Sequence, residues 1–357
     1  MADDSVVLSL QARAYATRIW QGGPRGRDAL SMPNWILADF MRPVGSGHKL
    51  TLELRLSAER WTLPDDGSPL LLGDAPFVDS RHPLSSPILG LELGDRIRIE
   101  EKGELELTFA ARGESADGPL SYLRRASATY HPDAPLAYRV GGDVGRVAST
   151  VIGARLTLGD DRFELTAYDG TEPSVTDLEL GTIDSLALRY SRALSPFLKL
   201  MGSLASVKDP SPGVSERILR YSFSIYTHGE LMLGKVTDGT FIVGGTTGHA
   251  GAEHLSSVAY EFLQSLDDWR ALGRFEVLQR TPRQLAIDAA DPDRGRWVAS
   301  LSFGPAFELW SRGFADATLG FLGTKHFLPG DLIGAYGGNP WSWKIYLRLS
   351  AQGAKAL

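Results

Sequence analysis

The sequence predicts an all-β fold: a closed antiparallel transmembrane β-barrel of about sixteen strands, with fourteen as the alternative. Three observations carry that prediction: a two-residue hydrophobic beat from end to end, short turns alternating with long loops, and tryptophans confined to strand ends. The beat is clearest in Leu50-Thr51-Leu52-Glu53-Leu54-Arg55-Leu56-Ser57, where every second residue is leucine and every residue between is polar. Trp341, Trp343, Ile345, Leu347 and Leu349 likewise alternate with Ser342, Lys344, Tyr346, Arg348 and Ser350. Period-two alternation gives a strand one apolar and one polar face. A whole chain of such strands, with Arg, Lys and Glu on the polar side, requires lipid outside and water inside.

Composition agrees. The hydrophobic fraction is 43% and the mean hydropathy is -0.11, soluble-looking values expected of a barrel whose strands are only half apolar. No window approaches the run of roughly 20 apolar residues that a membrane helix needs. Over 357 residues no linker, low-complexity tract or charge block divides the chain, so residues 1–357 are expected to form one domain. The net charge of -6 argues against nucleic-acid binding. Cysteine is absent, which decides little about compartment. Met1-Ala2-Asp3-Asp4 has neither the basic nor the apolar part of a signal peptide. An exported protein is therefore expected to be numbered here as a mature chain with an added Met.

The alternation marks strands at 6–19, 32–43, 48–60, 87–101, 103–113, 145–158, 161–169, 182–194, 196–207, 215–227, 229–237, 254–266, 271–280, 296–310, 313–325 and 340–350. Short turns are expected at Pro43–Ser46, Lys102, Gly159-Asp160, Ser195, His228, Ser265–Arg270 and Ser311-Arg312. Long loops are expected at 20–31, 61–86, 114–144, 170–181, 208–214, 238–253, 281–295 and 326–339. Both termini then lie on the short-turn side, the periplasmic side of such a barrel. Trp20, Trp35, Trp61, Trp297, Trp341 and Trp343 fall at the long-loop ends of strands and Trp269 and Trp310 at the opposite ends. Rings in those places form girdles at the headgroup level.

The polar faces assign a lumen. Its basic residues are Arg13, Arg55, Arg96, Arg98, Arg112, Arg155, Arg162, Arg189, Lys199, Arg220, Arg274, Lys344 and Arg348. Its acids are Glu53, Glu92, Glu100, Glu104, Glu106, Glu164, Glu261 and Glu276. Leu105, Leu107, Phe109, Phe163, Leu165, Leu186, Leu188, Leu219, Tyr221, Phe223 and Ile225 face outward. Basic residues prevail inside although the chain is acidic, so the surplus acids are expected in loops: Asp65-Asp66, Asp74, Asp79, Glu114, Asp117, Asp288, Asp291 and Asp293. Such a lumen draws anions in. The alternative is a brace of Arg–Glu pairs between neighbouring strands, with Glu104 and Glu106 beside Arg96 and Arg98.

Two long segments are placed to restrict the lumen. Residues 61–86 contain Leu70-Leu71-Leu72, too apolar for a purely solvated loop, and 114–144 contain Arg124-Arg125. On an inserted loop this pair forms a constriction; on an external loop it meets acidic lipopolysaccharide. Catalytic signals are weak. Histidines 48, 82, 131, 228, 249, 254 and 326 lie almost all in loops or turns, expected in solvent, without metal-ligand spacing. No cofactor or metal is expected. Gly244-Gly245-Thr246-Thr247-Gly248 lacks the Gly-Lys-Ser/Thr ending of a phosphate loop. His254 and Ser256, on one outward face, are the sole hint of lipid hydrolysis.

These alternating strands, tryptophan girdles and turn–loop rhythm resemble Gram-negative outer-membrane β-barrel (porin-like) proteins across the entire chain. The middle stretch also resembles a set of bacterial barrel proteins without an assigned activity. It runs through Gly118-Pro119, Arg124-Arg125-Ala126-Ser127-Ala128, Pro132-Asp133-Ala134-Pro135-Leu136, Phe163-Glu164-Leu165 and Gly170-Thr171-Glu172-Pro173. The resemblance implies a bacterial outer-membrane location, in contact with lipid and lipopolysaccharide. One departure is the end: such barrels finish on an aromatic residue, whereas here Leu347-Arg348-Leu349 is followed by Ser350 to Leu357.

The expected function is passive passage of small polar or anionic solutes. The alternatives are a closed structural barrel serving as a platform or sheath for a periplasmic partner, and a lipid-modifying enzyme. Homo-oligomerisation is open.

Overall fold

The computed structural model describes residues 6–64, 67–71, 81–82, 86–99, 103–143, 147–174, 176–210, 216–232, 235–247 and 254–356. Its wall strands are β1 (Val7–Gln21), β2 (Ala29–Ser31), β3 (Asn34–Val44), β4 (His48–Leu56), β7 (Ile88–Ile99), β8 (Gly103–Gly113), β9 (Ala148–Leu158), β10 (Asp161–Asp169), β11 (Ser185–Ser195) and β12 (Leu198–Lys208). They continue as β13 (Arg217–Met232), β14 (Lys235–Thr247), β15 (His254–Leu266), β16 (Trp269–Arg280), β17 (Arg296–Arg312), β18 (Ala315–Phe327) and β19 (Trp341–Ala356). A small hairpin, β5 (Ser68–Pro69) with β6 (Arg81–His82), and two short helices, α1 (Glu59–Thr62) and α2 (Gly330–Ile333), lie in the loops.

Each wall strand pairs antiparallel with the next, and β1 pairs with β19 from Val7↔Ala356 to Gln21↔Ser342, which closes the sheet. β2 and β3 both pair with β1 and form one wall position interrupted at Met32-Pro33, so the barrel has sixteen strands. Proline has no N–H for the ladder, which accounts for the break. Closure leaves no unpaired edge, the condition for strands in lipid.

The alternation sets the faces. Along β19, Trp343 is 59% and Leu347 38% exposed, whereas Lys344 is 5% and Tyr346 0% exposed. Outside, Leu107, Phe109, Phe163, Leu165, Leu186, Leu188, Leu219 and Phe223 form an exposed apolar belt. A belt of this kind is stable only against hydrocarbon. Trp61, Trp297, Trp341 and Trp343 ring it at the loop end and Trp269 and Trp310 at the turn end. Gly159 and Gly313 take φ of +58° and +63° in the tight turns, a region that other residues enter only at a cost.

The structure corrects several expectations. Trp35 belongs to no girdle; it is buried, facing inward beneath Arg13. No turn falls at His228. β13 runs through it to Met232, and β14 takes up 235–247, most of the expected loop 238–253. The glycine after His228 is a packing residue: Gly229 at φ +140° makes room for Phe197, whose ring lies 2.9 Å from where a Cβ would stand. The strand expected at 48–60 ends at Leu56, and Trp61 sits on α1. Leu70 and Leu71 are buried with Leu136, Leu278, Leu285, Val298, Leu328 and Leu332, a cap over the loop end near β16 to β18. Leu72, Asp65, Asp66, Asp74, Asp79 and Glu100 lie outside the described residues.

Candidate functional site

Residues 114–143 leave β8 and fold into the barrel. Apolar contacts draw them in. Tyr122, Leu123, Ala128 and Ala134 pack with Trp35, Leu37 and Leu89, apolar residues at inward positions of the wall. Two 3-10 turns, Tyr122–Arg124 and Ala126–Ala128, compact the segment, and the Ser121 hydroxyl caps the first by accepting from the Leu123 N–H. Farther on, Gly141 lies against β14. A Cβ on Gly141 would stand 2.6 Å from Gly244 Cα, so the glycine run at 244–245 serves close backbone approach.

Polar contacts then tie the segment around the circumference. The Ala116 N–H donates to Thr166 Oγ1 (2.9 Å), the Gly118 N–H to Ser203 Oγ (2.9 Å) and the Leu120 N–H to the Tyr226 hydroxyl oxygen (2.9 Å). Asp117 accepts from Arg220 at 2.9 Å. On β15 and β16, Ser257 donates to the Val140 carbonyl, Arg274 donates to the Asp133 carbonyl at 3.1 Å, and Glu276 accepts from the Ala137 N–H at 2.9 Å. Asp133 pairs with Lys344 of β19, and the Tyr15 hydroxyl of β1 donates to the Thr129 carbonyl at 2.7 Å.

Arg124 and Arg125 point to opposite sides of this segment. The Arg125 side chain is 0% exposed, donates to Glu261 at 2.6 Å and faces Asp143 at 4.0 Å. Arg124 is 31% exposed, meets Glu53 at 2.7 Å and Glu114 at 3.0 Å, and stands at a cavity of about 280 Å³ on the short-turn side. Asp39, Glu53, Glu92, Glu106, Arg96 and Arg155 also line it.

The other lumen residues are placed as follows. Register sets Arg96 opposite Glu106, Arg98 opposite Glu104, Glu106 opposite Arg155, Arg155 opposite Glu164 and Glu164 opposite Arg189. Ion pairs run along this row: Arg96–Glu106 2.8 Å, Arg155–Glu106 3.3 Å, Arg155–Glu92 2.7 Å, Arg162–Glu164 3.3 Å and Arg189–Glu164 2.8 Å. Arg55 contacts Glu53 at 3.0 Å and Glu114 at 2.6 Å, and Arg274 meets Glu261 at 3.1 Å. Arg348 pairs with Asp316 at 2.5 Å and lies 4.3 Å over the Tyr130 ring, while Arg13 lies 4.9 Å over Trp35. Arg98 and Lys199 sit near the turn ends, Arg98 exposed and Lys199 half-buried.

Three placements differ from expectation. Arg112 is fully buried and donates to the Ser174 and Asp177 carbonyls at 3.2 and 2.8 Å, pinning the 170–184 loop. Glu114 and Asp117 are inside, on the inserted segment, where they pair with wall arginines. The lumen is therefore far less cationic than its strands alone indicate. His131 and His326 are buried within the barrel, not solvated. Outside, in the 281–295 loop, a hydrogen bond from Arg283 holds the Asp293 carboxyl below its usual range.

Asp39, Asp133 and Tyr226 were not legible from charge patterning. Asp39 follows two apolar inward neighbours, Trp35 and Leu37, which disguise its face. Asp133 belongs to a loop, where period-two reading has no purchase. The signal that was present is position: Asp39 falls two residues from Leu37 on the same beat.

No protein-family model and no curated protein sequence matches the chain. Solved structures match its fold. Among them is OmpF of Salmonella typhi in complex with daunomycin (TM-score 0.60, 10% identity, covering 97% of each chain). An anion-selective porin from Comamonas acidovorans matches with TM-score 0.60 and 11% identity, over 98% of this chain and 100% of that one. The outer membrane channel DcaP of Acinetobacter baumannii matches with TM-score 0.58 and 12% identity, over 98% and 97%. The chain has the barrel architecture of outer-membrane porins.

Proposed function

We propose that the chain is a bacterial outer-membrane channel of narrow bore for small polar solutes. The observation that carries this reading is the 280 Å³ cavity at the short-turn mouth, walled by the Asp39, Glu53, Glu92, Glu106, Arg96 and Arg155 side chains, with Arg124 also among its lining residues. The solved structures of like fold support it: among them are an anion-selective porin and an outer membrane channel. Solutes leave this vestibule along the β1–β9 wall, past the Arg124–Glu53 contact.

The charge preference is weak. The vestibule places four carboxylates (Asp39, Glu53, Glu92, Glu106) against three guanidiniums (Arg96, Arg124, Arg155), so its fields largely cancel. A second reading, a closed barrel that serves as a platform, is favoured by one observation: residues 114–143 bond to β1, β4, β10 and β12 to β16, and to β19. Inserted segments of this kind narrow or close a barrel. The outer rim carries Arg18, Arg60, Arg217 and Lys325, cations suited to the phosphates of lipopolysaccharide.

Single-channel recording in planar bilayers separates the readings. The channel predicts discrete steps of small unitary conductance. Silence from protein that has inserted with its native, heat-modifiable gel mobility overturns it in favour of the closed barrel.

A further inference from the structure

The outer face of β15 carries a second chemistry. At its loop end His254 and Ser256, two residues apart on one face, are in contact: Nε2 to Oγ is 2.8 Å. That is the reach of a base that takes a serine proton. The Tyr221 hydroxyl of β13 lies 3.2 Å from the same Nε2, and the two rings stack at 6.0 Å with 11° between planes. Tyr221 reaches His254 across β14 because Gly245 lies between them. A Cβ there would stand 2.5 Å from the Tyr221 oxygen. The Ser256 N–H is held by Gln279 Oε1 at 2.9 Å, and Gln279 is opposite Trp297 of the loop-side girdle. The site thus lies at the level where lipid acyl esters meet the headgroups, beside exposed Leu219 and Tyr260.

We propose that Ser256 and His254 form a nucleophile–base pair acting on carboxylic esters of membrane lipids. Ser256 Oγ attacks the ester carbonyl carbon while His254 Nε2 takes its proton. The tetrahedral intermediate expels the lipid alkoxide, the C–O ester bond breaks, and the imidazolium returns the proton to the departing oxygen. Water, activated by the same imidazole, cleaves the acyl-serine to release a fatty acid and restore the hydroxyl. Ser256 and His254 are the catalytic residues; Tyr221 is a positioning residue. Its ring, stacked on the imidazole at 11° between planes, fixes the imidazole plane. The site faces lipid, so this activity is independent of any flow through the lumen.

The test uses the full-length folded barrel in phosphatidylethanolamine–detergent micelles, with a fluorophosphonate as serine probe. The expected result is a phosphonyl adduct on the Ser256 peptide and release of free fatty acid. Ser256→Ala abolishes both, and His254→Ala slows both by more than about 100-fold. Tyr221→Ala removes the stack and lowers kcat with KM unchanged, and Tyr221→Phe, which keeps the ring, restores the rate. Heat-modifiable mobility certifies each variant as folded, and the adduct on the wild type decides even where a variant does not fold. No adduct on Ser256, or labelling indifferent to His254→Ala, overturns the proposal.

Discussion

Arg124 and Arg125 are neighbours in one loop and opposites in environment. Arg125 is fully buried, clasped by the β15 carboxylate Glu261; Arg124 is about one-third exposed at the edge of the 280 Å³ vestibule. The two sides of the lumen differ in the same way. Toward β14–β19 the inserted segment is sealed by Arg125–Glu261, Asp133–Lys344 and the apolar cap. Toward β1–β9 it leaves room, and charged side chains face water. One residue type is a clasp on one side and a gate post on the other, because desolvation decides what an ion pair does.

Four substitutions and one selectivity measurement break or sharpen that contrast. The largest effect is expected on the sealed side. Arg125→Met leaves Glu261 buried with Arg274 and the Ser127 hydroxyl as its remaining donors, and removal of one member of a buried pair costs about 3–5 kcal/mol. The lower end applies here, since Arg274 still contacts Glu261. Denaturant unfolding in micelles measures it, and a shift no larger than that of a surface arginine would contradict the clasp. Single-channel conductance should rise in the same variant as the segment loosens.

Next comes the outward face. Leu347→Arg puts a charge into hydrocarbon at a cost of about 2–4 kcal/mol near the midplane. Ser9→Arg, inward on β1 where it lines the vestibule, should be tolerated. Equal refolding yields for the two in lipid would refute the assignment of faces.

On the open side the stability effect shrinks. Arg124→Gln should change unfolding by about 0.2–1 kcal/mol, as for exposed ion pairs, yet alter unitary conductance more than Arg125→Met alters it per unit of stability lost. An unchanged conductance would move the permeation path away from the vestibule. The smallest effect is selectivity. With the lumen charges paired, the reversal potential in a salt gradient should lie near zero and vary little with ionic strength. A strong anion preference that fades in high salt would instead restore a cation-dominated lumen.

Much of this was legible in the chain. The sixteen strands, both faces of β19, and the facing of Arg96 with Glu106 follow from a two-residue period that any half-buried strand must obey. Errors arose where a local signal had a non-local cause. Gly229 resembles a turn residue, yet its missing side chain makes room for Phe197 in the turn of the preceding hairpin, between β11 and β12. Trp35 resembles a girdle residue, yet its partners are Tyr122 and Leu123 of the inserted segment. Glu114 and Asp117 resemble solvated loop acids, and only the path of the segment brings them to Arg55 and Arg220.

The sequence by itself determined the wall. Alternation chooses the face of every side chain, turn length chooses the end at which the termini lie, and closure follows from the cost of an unpaired edge in lipid. The tertiary structure alone decided the interior. Residues 114–143 have no period to read, and their course is set by contacts with strands more than a hundred residues away, such as Arg125 with Glu261 and Asp133 with Lys344. Whether an arginine lines water or holds a loop depends on which of those distant carboxylates it meets, and on how much water the meeting excludes.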